Sequence, residues 1–131
     1  MNLLDENFPA DQLPLLRGWH IPVRKIGREV SHLGIGDPDI IPLLHRLRHV
    51  TFFTQDRGFF DADLRHSQYC LVWLDVPPDA AALFIRRLLR LPRFDTAAKR
   101  MGLVVRAHPD AAEFWQPNRP GMQYVAWPHR A

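Results

Sequence analysis

A short apolar run that ends on an acid constrains this chain more than any other feature. Val50-Thr51-Phe52-Phe53-Thr54 has the β-branched and aromatic composition of a buried strand. It breaks at once into Gln55, Asp56, Arg57 and Gly58, ahead of Phe59, Phe60 and Asp61. An acid placed directly after a buried strand lies at the carboxyl end of a sheet, the edge where open α/β sheets bind ligands. The same grammar opens the chain, where Asn2, Leu3 and Leu4 lead into Asp5, Glu6 and Asn7. If those two strands are parallel neighbours, Asp5 and Asp56 emerge on one edge. Two carboxylates that converge there require a shared proton or a cation.

The remaining pattern alternates strand with helix as far as about Arg90. Strands are expected over 21–26, 69–76, 102–107 and 123–127. A first helix is expected to end at Gly18, with Asp11 as its cap and Pro14 in its first turn, where the missing N–H costs little. Gly27 to Gly36 reads as irregular. Asp37-Pro38-Asp39 then gives a strong helix start, because Asp37 suits the cap, Pro38 the first helical position and Asp39 the positive end of the dipole. Ile40, Ile41, Leu43, Leu44 and Leu47 supply its apolar face, and Pro42 predicts a distortion. Residues 59–66 read as a short helix or turn. The longest helix follows Pro77-Pro78-Asp79 and covers 80–91, with Ala81, Phe84, Ile85, Leu88 and Leu89 inward and Arg86, Arg87 and Arg90 outward. A short helix is expected within 94–100 and one helical turn over 110–115, leaving the last two strands to pair across a long loop. The alternation predicts one α/β domain over 1–131, with a mainly parallel sheet, helices on both faces and an antiparallel extension at the C-terminal end.

Composition narrows the classes of function. With 131 residues and 47% apolar content the chain can bury a core of its own. No apolar run approaches the ~20 residues of a membrane span, and Asp5 and Glu6 interrupt any leader-like pattern, so the expected location is the cytoplasm. The lone cysteine, Cys70, sits in the apolar run Cys70-Leu71-Val72-Trp73-Leu74, which suits a small core residue better than a nucleophile. The seven histidines are scattered, and His45 and His49, though four apart, fall where a helix ends. The charge of +3 is carried mostly by arginine, which suits bidentate phosphate contacts and equally a solvated basic surface.

The acids that could serve a hard cation are Asp5, Glu6, Asp37, Asp39, Asp56, Asp61 and Asp63. Mg²⁺ is commonly held by one or two carboxylates, with water and substrate phosphate completing its shell. It can generate hydroxide and stabilise a phosphodiester transition state. An acidic sheet edge with a basic rim is therefore a nuclease layout. Each acid also has a structural use. Asp37 is accounted for as a helix cap, Asp56 as a turn cap before Gly58, and Asp5 as a cap for the first helical region. A phosphoryl-transfer enzyme on the same edge fits less well, for the chain has no Gly-rich phosphate loop, and Asp37-Pro38-Asp39 begins a helix rather than following a strand.

Three segments in order, Leu3-Leu4-Asp5-Glu6-Asn7-Phe8-Pro9, Asp37-Pro38-Asp39-Ile40-Ile41 and Thr54-Gln55-Asp56-Arg57-Gly58-Phe59, resemble the small bacterial PIN-like family. Its usual signatures are Leu-Leu-Asp-Glu-Asn-Leu-Pro, a helix beginning Asp-x-x-Ile, and Thr-x-Asp-x-Asp-Phe after a strand. The resemblance covers about the first half of the chain, touches Leu71–Leu74 loosely and matches nothing after about Pro92. It implies a PIN-type three-layer α/β/α fold and, through VapC-like toxins, a Mg²⁺- or Mn²⁺-dependent ribonuclease. It further implies an RNA substrate, a cognate antitoxin protein and a homodimer. Position by position, Asp5, Asp37 and Asp56 match the family's acids, and Thr54 and Arg57 fall where a carboxylate or the substrate would be contacted. Gly58 stands where the family commonly has a further acid, and Asp61 is the nearest replacement as a metal ligand. Loss of that acid leaves a second reading, a catalytically silent PIN-like module that binds RNA or a protein partner through the aromatic-rich end.

Overall fold

The computed structural model describes residues 1–27 and 37–128, except for the side chain of Asp37. Seven strands form one sheet: β1 (Asn2–Leu4), β2 (Arg24–Lys25), β3 (Val50–Thr54), β4 (Tyr69–Leu74), β5 (Val104–His108), β6 (Ala111–Trp115) and β7 (Met122–Ala126). Their spatial order is β2-β1-β3-β4-β5-β6-β7. The first five are parallel; β6 and β7 run antiparallel at one edge. The helices are α1 (Leu13–Gly18), α2 (Asp37–Leu47), α3 (Ala81–Arg90) and α4 (Ala97–Arg100).

Period-two alternation distributes the strand residues between two cores. On one face Leu4, Phe53, Cys70, Val72 and Val105 pack against Leu13 and Leu16 of α1 and Phe84, Ile85 and Leu88 of α3. On the other face Leu3, Phe52, Leu71 and Val104 pack against Ile40, Leu43 and Leu44 of α2. All five residues of β3 are buried, as expected of a central strand covered on both sides. The α/β architecture, the parallel sheet and the antiparallel end agree with the sequence reading.

Several local expectations are corrected. Pro14 does lie in the first turn of α1, but Asp11 is not its cap. Asp11 belongs to a 3₁₀ turn, Ala10–Gln12, that comes before the helix, and neither segment has a side-chain cap. Gln12 is buried there instead, and its Oε1 accepts the Ala82 N–H at 3.0 Å, tying α1 to the start of α3. The second strand shrinks to Arg24–Lys25, followed by Ile26 N–H donating to the Leu4 carbonyl at 3.0 Å. Residues 110–115 are not a helical turn. After a tight turn they pair antiparallel with β5, from His108↔Ala111 to Val104↔Trp115, burying Ala111, Ala112 and Phe114. The expected pairing of β5 with β7 is therefore replaced by a β5-β6-β7 meander. Pro42 is accommodated inside α2, which runs unbroken to Leu47. The irregular segment expected over 27–36 lies outside the described residues apart from Gly27.

Candidate active site at the carboxyl edge

The winding of the chain fixes where a ligand can enter. From β1 the chain moves to β2 on one side, then crosses to β3 on the other and continues outward to β4 and β5. The loop after β1 leads to α1 on one face, while the loop after β3 carries Phe59 into the core on the other, and a crevice opens between them. The register pairs Leu4 with Phe53, so Asp5 follows β1 at the level where Thr54 ends β3. Asp5 N–H continues the ladder to the Phe53 carbonyl at 3.0 Å.

The Thr54 hydroxyl connects the two acids. It donates to Asp5 Oδ2 at 2.6 Å and accepts the Asp56 backbone N–H at 3.0 Å. Thr54 is fully buried, so this hydroxyl fixes the Asp5 rotamer from beneath. Asp5, Asn7, Phe8, Gln55 and Asp56 line a cleft of about 290 Å³. Gln55 is held by donating from Nε2 to the Val76 carbonyl at 2.9 Å. Lys25 Nζ stands nearby but donates to the Phe8 carbonyl at 2.9 Å. Among the described residues neither Asp5 nor Asp56 has a cationic partner.

The other expected site residues fall at different distances from this cleft. Asp56 also caps the next turn, accepting the Gly58 N–H on Oδ1 at 2.8 Å, so its structural use is real. Asp37 opens α2, which follows β2 and leads back to β3, so connectivity puts its backbone at the same carboxyl edge. Its side chain lies outside the described residues. Arg57 is exposed in the 3₁₀ turn directly after Asp56 and is not part of the cleft lining. Asp61 caps the following 3₁₀ turn through Asp63 N–H at 2.9 Å and is likewise not in the lining. No group of three or more His, Cys, Asp or Glu side chains suited to a metal occurs among the described residues. A pair of carboxylates with a fixed hydroxyl still fits Mg²⁺, which keeps much of its water.

One acid at this edge escaped the sequence reading. Asp75 follows β4 just as Asp5 follows β1, and the run Leu71-Val72-Trp73-Leu74-Asp75 carries the same signal. Its setting is different. Arg106 donates to Asp75 Oδ2 from Nε at 2.9 Å and from a terminal nitrogen at 2.7 Å. Arg106 also reaches Glu113 Oε1 at 3.3 Å, Glu113 meets His108 Nε2 at 2.7 Å, and the guanidinium lies 5.1 Å from the Trp73 ring centroid.

Cys70 is completely buried, and burial pushes its thiol up to about 12. It is a core residue, as its apolar neighbours suggested, and has no thiolate for chemistry near neutrality. No family model, curated protein or solved structure matches the chain.

Proposed function

We propose that the chain is a PIN-like, metal-dependent ribonuclease, the toxin of a toxin–antitoxin pair, acting at the edge formed by Asp5, Asp37 and Asp56. The observation that carries this reading is the pair Asp5–Asp56 at the switch point of the sheet, joined by Thr54 and without a cationic partner among the described residues. Buried structural acids are normally paired, whereas acids kept at a ligand crevice without a cation suit one that arrives from solution.

Asp5 and Asp56, with Asp37 from α2, would hold Mg²⁺ or Mn²⁺. Such an ion supplies a nucleophilic hydroxide at neutral pH and charge neutralisation on the phosphate. Thr54 keeps the Asp5 carboxylate in one orientation and so limits the reorganisation needed on binding. Arg57, exposed in the turn beside Asp56, would meet a phosphate oxygen of the substrate. Asp61 joins only if the turn carrying it shifts toward the cleft.

A second reading, a catalytically silent module binding RNA or a protein partner, is favoured by the engagement of Asp56 Oδ1 with Gly58 N–H. Calorimetric titration with Mn²⁺, wild type beside Asp56→Asn, separates the two. Saturable binding that the substitution removes, together with metal-dependent RNA cleavage lost in Asp5→Asn, is the expected result. A folded wild-type protein that takes up no Mn²⁺, alone or with RNA, overturns the nuclease reading.

A further inference from the structure

Helix α3 lies on the face of the sheet opposite α2. From Ala80 to Phe94 the sequence has four arginines, Arg86, Arg87, Arg90 and Arg93, and no acid. At 100° per residue Arg86, Arg87 and Arg90 share the arc opposite the buried stripe of Ala81, Ile85 and Leu88. Arg86 and Arg90 are about 6 Å apart along the axis, and Arg93 follows just past the helix end.

Among the described residues none of the four has a carboxylate partner. Three are positioned by rings instead. The Arg86 guanidinium lies 4.6 Å from the Trp19 ring centroid, Arg87 lies 4.9 Å from Phe84, and Arg93 lies 5.1 Å from Phe114. The Nε atoms of Arg86 and Arg87 are sealed from solvent without a partner. Arg90 is exposed. Stacking restrains a guanidinium while leaving its terminal N–H edge for in-plane acceptors, the geometry that phosphate oxygens take. Arg87 and Arg90 also offset the dipole at the end of α3, but that use needs neither Arg86 nor Arg93. By contrast, three other arginines, Arg65, Arg100 and Arg106, are occupied. Arg106 is neutralised by Asp75 and Glu113, Arg65 donates to the Gln116 and Arg119 carbonyls, and Arg100 is buried against Thr51 and Phe94.

We propose that this arginine ridge binds the phosphate backbone of RNA. The choice of RNA among polyanions rests on the ribonuclease reading; the ridge does not. Contacts of this kind carry no sequence preference and weaken steeply with salt.

The test is fluorescence anisotropy with a fluorescein-labelled 20-nucleotide oligouridine in EDTA, from about 50 to 200 mM salt. Replacing Arg87, Arg90 and Arg93 together by Gln should lower affinity about tenfold or more and reduce the log–log salt slope by about 2, roughly 0.7 per arginine. The matching triple Lys protein should keep most of the slope. Arg90→Gln alone, at an exposed position, should remove about 0.7 of it without affecting folding. Unchanged affinity and slope in folded Gln variants overturn the proposal. So does a polyglutamate peptide that binds as tightly and responds to the same substitutions, which would make the ridge a seat for an acidic protein segment. If Asp5→Asn still cleaves RNA while the Gln variants lose binding, the site assignment fails and the ridge stands. If Asp5→Asn abolishes cleavage while the Gln variants bind normally, the ridge fails and the site stands.

Discussion

Asp5 and Asp75 occupy equivalent places, each the first residue after a parallel strand on one sheet edge, yet their surroundings are opposite. Asp75 receives two N–H groups from Arg106, and the charge is spread further through Glu113 and His108. Asp5 receives one hydroxyl, from Thr54, and faces a cleft shared with Asp56. A clasped acid contributes to the fold. An acid held only by a neutral donor, beside another acid, contributes little and keeps its charge for something else. Among the described residues a clasped acid, Asp75, and an acid pair without a cationic partner, Asp5 and Asp56, thus lie along the same edge, with Asp56 and Asp75 after the adjacent strands β3 and β4.

The largest effect expected from this contrast is on metal and chemistry. Asp5→Asn or Asp56→Asn should reduce Mn²⁺ affinity and RNA cleavage by about a hundredfold or more, while Asp75→Asn leaves both within about twofold. Calorimetry and a cleavage assay read this directly, and equal losses for Asp5 and Asp75 would erase the distinction. Stability should rank the same residues in reverse. Arg106→Ala should cost about 0.5–1.5 kcal/mol, because it takes the shared guanidinium from Asp75 and Glu113, both of which keep some access to water. In metal-free buffer Asp5→Asn should change urea stability by less than about 0.5 kcal/mol, or raise it by relieving repulsion from Asp56. A smaller effect, about tenfold in Mn²⁺ affinity, is expected for Thr54→Val, which keeps the shape and removes the hydroxyl that orients Asp5.

Alkaline pH offers a check that leaves the acids untouched. The Cys70 thiol is raised to about 12 and the neighbouring Tyr69 hydroxyl is also raised, both by burial at the start of β4. A raised folded-state value favours the protonated form, so this contribution is complete below the unfolded thiol value. It is lost progressively as pH climbs toward about 12. Urea melts should weaken over that range, and Cys70→Ala should flatten the thiol part of the slope. In the native protein Cys70 should resist thiol reagents until the chain unfolds.

What the sequence disclosed follows the range of the forces involved. The Val50–Thr54 strand and the helix opening at Asp37-Pro38-Asp39 rest on local composition, and both hold; of the arginines expected outward on α3, Arg90 is exposed, whereas Arg86 and Arg87 are half-buried over aromatic rings. The convergence of Asp5 and Asp56 was legible because both follow strands, given only that β1 and β3 are parallel neighbours. Residues 110–115 were misread because a five-residue strand shows too few alternations, and a two-residue turn after β5 decided its partner. Asp11 failed as a cap because a 3₁₀ turn displaced the helix cap by one position, to Gln12. The clasp on Asp75 depends on Arg106, a residue 31 positions away, and no local signal announces such a pairing.

The bond from Gly58 N–H to Asp56 also sets what an added carboxylate at position 58 would do. A Cβ placed there would stand 3.2 Å from Asp56 Oδ1, closer than side-chain carbons normally settle. Any larger residue therefore presses on the very oxygen that caps the turn. An aspartate introduced at this position would not simply supplement the existing pair. It would make the Asp56 carboxylate give by about a few tenths of an ångström and set a second negative charge beside it. With glycine there, the Asp56 carboxylate sits on its backbone donor at 2.8 Å, and its aim is set by the turn rather than by a neighbouring side chain.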